Sequence, residues 1–71
     1  MNNPVRVICL GQETSMAVQE TLKKWEAAYT PCQKGSSWEF VLPGYQNPMG
    51  VFFALDNAGV NVDEIVCTNE E

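Results

Sequence analysis

The stretch LPGYQNPMGVFFAL, residues 42–55, decides more about the fold of this chain than any other. It sets two prolines and two glycines between apolar runs, and a hairpin, a strand or a helix there would each give a different topology. Taken alone, GVFFAL suits a strand, because Val and Phe favour a pleated, half-buried surface. Its flanks predict a helix instead. Asn47 can accept from the orphan N–H groups of a first turn, and Pro48 at the first helical position lacks a donor that would go unused there. At the far end, DNAGV is a helix stop: Gly59 can take the left-handed conformation past the last turn, and Val60 can pack back on the helix. NVDEIVCT then reads as the last strand, with Asp63 and Glu64 on its opposite faces and NEE trailing into solvent.

The first half gives a matching pattern. PVRVICL, residues 4–10, is rich in β-branched residues and ends at Gly11, as a buried strand does. Thr14 and Ser15 supply oxygens able to cap a helix. Val18, Leu22, Trp25 and Tyr29 follow at spacings of four, three and four, a narrow apolar stripe on one helix face that Ala17, Thr21 and Ala28 widen. Gln19, Glu20, Lys23 and Lys24 hold the other side, and Pro31 is read as the stop. TPCQ fits a short edge strand, where proline is tolerated. KGSS is turn-like, and SWEFVL alternates, with Trp38, Phe40 and Leu42 on one face and Glu39 and Val41 on the other.

The order strand, helix, weak strand, strand, helix, strand predicts one α+β domain over residues 1–71. Two βαβ-type halves around a hairpin give a ferredoxin-like split βαββαβ arrangement, an antiparallel sheet with both helices on one face. The alternative omits the weak strand and leaves a three-stranded βαβαβ layer.

The chain has 71 residues, 45% hydrophobic and 18% charged, the balance of a folded domain. At this size only about 60% of the unfolded surface is buried, so stability is thin. The four bases, Arg6, Lys23, Lys24 and Lys34, form no stripe that could track phosphates, and the net charge is −5, so direct nucleic-acid binding is not expected. An acidic mimic of DNA is an option that the dispersed acids do not favour. The longest unbroken apolar run is VFFAL, so no membrane span is expected. Three cysteines without close spacing suggest neither a zinc knuckle nor a disulfide framework, and a reducing cytoplasm suits them.

Few chemistries survive. Without histidine the chain lacks the usual general base and the commonest zinc ligand. LGQETS lacks the lysine and glycines of a phosphate loop, and the acids of DNAGVNVDE fall at the wrong offsets for calcium. No enzyme activity, metal or cofactor is expected. Cys9 and Cys67 are expected at opposite ends of a strand pair as small hydrophobes, while Cys32, in a loop-like segment near Lys34, is the thiol open to a redox role.

The function expected is binding to a protein, as an adaptor, a regulatory subunit or an inhibitor. Wound at 100° per residue, residues 48–58 place Val51, Ala54, Leu55 and Ala58 toward the sheet with Phe52 at the edge. Met49 and Phe53 fall on the opposite side, where Tyr45 and Pro48 could extend one patch. Met and aromatics on an outer face suit an interface; packing of Phe53 against the first helix is the competing arrangement. Two alternatives stand beside it: a dimerising domain that senses a small metabolite at Gly11, Gln12 and Glu13, and a thiol-dependent role for Cys32.

Overall fold

The computed structural model describes residues 3–69. The fold is α+β, with two helices and a four-stranded antiparallel sheet. Strands β1 (Val5–Leu10), β2 (Thr30–Lys34), β3 (Ser37–Leu42) and β4 (Ile65–Asn69) lie in the order β2-β3-β1-β4. Helix α1 spans Gln12–Lys24 and α2 spans Pro48–Asn57. The three-stranded alternative is therefore set aside. Thr30–Lys34 does pair with β3, at a sheet edge where Pro31 needs no backbone donor.

Alternation builds one core. Val5, Val7 and Cys9 of β1 stand beside Phe40 and Leu42 of β3 and beside Ile65 of β4, and all are buried. Val18 and Leu22 of α1 and Val51 and Leu55 of α2 complete the same cluster, so both helices cover this inner face. Each large apolar side chain fully buried this way contributes about 1.5–3 kcal/mol. The outer face carries Arg6, Ile8 and Leu10 of β1 with Glu39, Val41, Val66 and Thr68 of its neighbours. Strand β1 is thus covered on one face only, and Leu10 is 54% exposed.

Helix α2 starts and stops as its flanks predict. The Asn47 side chain accepts from the Met49 N–H at 3.1 Å, with Pro48 at the first position. Gly59 has φ of 91°, its N–H donates to the Asp56 carbonyl, and the Val60 N–H reaches back to Leu55. Val60 is buried, which closes the end with a hydrophobic contact.

Helix α1 departs from the expected bounds at both ends. Its first turn opens directly after Gly11, whose φ of 100° suits glycine. Thr14 and Ser15 therefore lie inside the helix; the Ser15 hydroxyl donates to the Gln12 carbonyl at 2.8 Å. The helix ends at Lys24, short of Pro31. Glu26 takes a left-handed φ of 55°, its N–H donates to the Lys23 carbonyl, and the Ala27 N–H donates to that of Leu22. These are the two hydrogen bonds of a Schellman stop, with glutamate where glycine is usual. Trp25 and Tyr29 still reach the core, now from the connection to β2; Tyr29 meets Phe40 edge-on at 5.6 Å. Ala28 is exposed and does not widen the stripe.

The final segment also differs. Val62–Glu64 forms a 3-10 turn, held by the Asn61 side chain accepting from the Asp63 N–H at 3.3 Å. Asp63 and Glu64 thus precede β4, so strand alternation does not separate them. Asn69 belongs to β4, and its side-chain amide donates to the carbonyls of Asn3 and Gln46 at 3.2 and 3.0 Å. The rest of the expected tail, residues 70–71, lies outside the described residues.

Candidate functional site

The outer side of α2 is the most apolar exposed helix surface. Val51 and Leu55 anchor the helix in the core, which turns Met49 and Phe53 outward at 59% and 55% exposure. Phe53 is more than half exposed, and its ring meets that of Phe52 edge-on at 5.9 Å. Phe52 is half-buried, as expected at the edge of the covered face, whereas Ala58 is exposed. Pro48 is half-buried at the start of the same helix.

Tyr45 belongs elsewhere. Its backbone is pinned between the Val5 N–H, which donates to its carbonyl at 3.0 Å, and the Leu42 carbonyl, which accepts from its N–H at 3.1 Å. Its ring stands 6.4 Å from that of Trp25. Together they wall a groove of about 260 Å³ whose other side is Asn47, Gly50, Val51 and Ala54. Tyr45 thus faces the flank of α2 turned toward α1, and it does not extend the Met49 and Phe53 surface.

The Glu64 carboxylate stands beside the segment expected to take a small ligand. Gly11, Gln12 and Glu13 are exposed at the start of α1. The Thr14 hydroxyl donates to Glu64 Oε2 at 3.2 Å, and the Asn61 side-chain amide donates to Oε1 at 3.4 Å. A Cβ on Gly11 would come within 3.3 Å of that same Oε2. A carboxylate beside a helix N-terminus meets its positive end, a favourable placement.

The three cysteines are free. Cys32 is exposed in β2, on the outer face opposite Glu39, and is not in a loop. Glu39 stands 3.6 Å from the Arg6 guanidinium and 3.5 Å from the Lys34 ammonium. Cys9 and Cys67 are not at opposite ends of their strands. Val7 faces Cys67 and Cys9 faces Ile65, so the two thiols are diagonal neighbours on the inner face. Burial pushes Cys9 up to about 12, helped by the nearby Cys67, and burial pushes Cys67 up to about 11. Both stay protonated at neutral pH and are poor nucleophiles there.

Exposed apolar residues that the pattern reading passed over are Leu10, Met16 and Val66. The signal for Leu10 was present: Arg6 occupies the phase alternate to Val5, Val7 and Cys9, which marks that side of β1 as accessible. Charge carries a second missed signal. Residues 1–39 hold all four bases and four acids, whereas residues 40–71 hold five acids and no base. The net charge of −5 therefore belongs wholly to the part of the chain that builds α2 and β4.

Among the described residues, no helix is long and apolar enough to cross a membrane, and no group of three His, Cys, Asp or Glu stands close enough to hold a metal ion. Comparison with protein-family models, with curated proteins and with solved structures found no match.

Proposed function

We propose that this chain is a small, acidic, non-catalytic protein-binding module of the ferredoxin-like split βαββαβ kind, serving as an adaptor, regulatory subunit or inhibitor of a larger protein. The strand order, with α1 between β1 and β2 and α2 between β3 and β4, supports that fold description. The observation that carries the function is the outward exposure of Met49 and Phe53 on a helix whose other side is locked into the core. Each exposed apolar side chain gains on being covered, and Met and aromatics are the residues that interfaces concentrate. A reducing, cytoplasmic setting suits three free cysteines.

The test is the double variant Met49→Ser/Phe53→Ser. Association with the partner should weaken at least tenfold, while the circular-dichroism spectrum stays that of the parent and the melting temperature moves by no more than a few degrees. Collapse of the fold would assign both side chains to stability instead.

The metabolite-sensing alternative is less well supported, because the Glu64 carboxylate occupies the approach to Gly11, and an anionic ligand would have to displace it. The thiol alternative draws only on the exposure of Cys32, and Cys32→Ser would abolish any activity that depends on it.

A further inference from the structure

We infer that the partner binds as an extended segment added to the free edge of β4, with β-branched residues at its centre and Lys or Arg at the end that lies beside Asp63 and Glu64. This rests on the reading of α2 as the binding helix, and it names the mode and chemistry of the partner.

The sheet has two edges, and they are built differently. At one, β2 carries Pro31, which has no N–H to offer, and the charged Lys34. Both are devices that keep an edge from pairing with another chain. At the other, β4 reads IVCTN, without proline, glycine or charge and with three β-branched residues. Among the described residues only β1 pairs with it. An unguarded edge of high strand propensity is what addition of an extended peptide requires.

Helix α2 supplies the wall beside that edge. It packs on β4, and Gly50 and Ala54 face the groove shared with Trp25 and Tyr45 on the α1 side. At 100° per residue, Phe52 and Met49 then lie on the flank turned away from α1, over the β4 edge. Alternate side chains of an added strand would run along Phe52 and Met49, and the others would lie beside the exposed Val66. Main-chain bonds to β4 would give affinity, and the apolar flank would give register.

Charge selects the occupant. Asp56 sits on α2, and Asp63 and Glu64 immediately precede β4. No Lys or Arg follows residue 34 in the sequence, and Arg6 of β1 stands opposite Thr68, toward the other end of β4. A segment with a basic residue at the end beside Asp63 and Glu64 would meet opposite charge, and one with an acid there would be repelled.

Selection from a displayed library of random twelve-residue peptides, against the intact protein at low salt, tests this. The expected outcome is enrichment of alternating β-branched cores with Lys or Arg at one end. N-methylation of alternate amides in an enriched peptide should then weaken binding at least tenfold, and the peptide should slow amide exchange at Val66, Cys67 or Thr68. Enriched peptides that lack basic residues, or that leave the β4 amides unprotected, would overturn the inference. If such peptides still lose binding to Met49→Ser/Phe53→Ser, the α2 reading stands without it. If peptides protect β4 yet bind that double variant unchanged, edge addition stands and the α2 reading fails. No enrichment at all would count against both.

Discussion

At the scale of single residues, the cysteines separate by environment. Cys9 and Cys67 are held protonated by burial, at about 12 and about 11, while a thiol in the unfolded chain ionises near 9. The sign follows from linkage: above pH 9 the unfolded chain loses protons that the native state retains. The stability that these thiols contribute is complete below pH 9 and is lost as pH rises toward their folded values. Urea unfolding should thus show stability that is level, as far as these thiols go, up to pH 8 and falls between pH 9 and 11. Cys9→Ala should flatten that alkaline slope, whatever it does to stability at pH 7. In the native protein, a thiol reagent at neutral pH should modify Cys32 first and Cys9 only on unfolding. That Cys9 and Cys67 are diagonal neighbours was not legible in the sequence, because it depends on the β1–β4 register, and the unforeseen turn at Val62–Glu64 moved the start of β4 to Ile65.

At the scale of elements, α2 was the more legible helix and α1 the less. Its bounds are set by local chemistry: Asn47 and Pro48 at one end, Gly59 and Val60 at the other. The end of α1 depends on Glu26 in a left-handed conformation that only the packing of Trp25 and Ala27 on the core makes worthwhile. Periodicity carried on past it because Trp25 and Tyr29 are apolar and buried in part, though no longer on one helix. This gives a prediction. A non-glycine residue in that conformation costs about 1–2 kcal/mol, offset by the greater freedom of glycine when unfolded. Glu26→Gly also removes a negative charge from a helix C-terminus. It should stabilise the protein by about 1 kcal/mol, read as a rise of roughly 5 °C in melting temperature. A fall would mean that the glutamate side chain makes a contact worth more than the strain. The free edge of β4 was legible only in part: its uncharged composition stood in the sequence, but its place at the end of the sheet did not.

At the scale of the molecule, the arrangement is asymmetric. Residues up to 39 supply α1, the guarded edge β2 and all four bases; residues 40–71 supply α2, the unguarded edge β4 and the whole net charge. Lys34 is committed to Glu39 on the outer sheet face, away from α2. In a body with extents of 33 × 27 × 21 Å, exposed apolar side chains lie on α2 at Met49 and Phe53, on α1 at Met16 and on the outer sheet face at Leu10 and Val66. The two apolar faces of α2 are legible in the sequence, and so is the point after which no base occurs, but where the fold carries those charges is set by the strand order. The central claim, that the outer side of α2 is the contact surface, is tested most directly by photo-crosslinking in cells of the source. A benzophenone side chain placed at Phe53 should give one discrete heavier adduct, while the same group at Glu20, exposed on α1, should give none. Adducts of equal yield from both positions, or from Glu20 alone, would contradict the account.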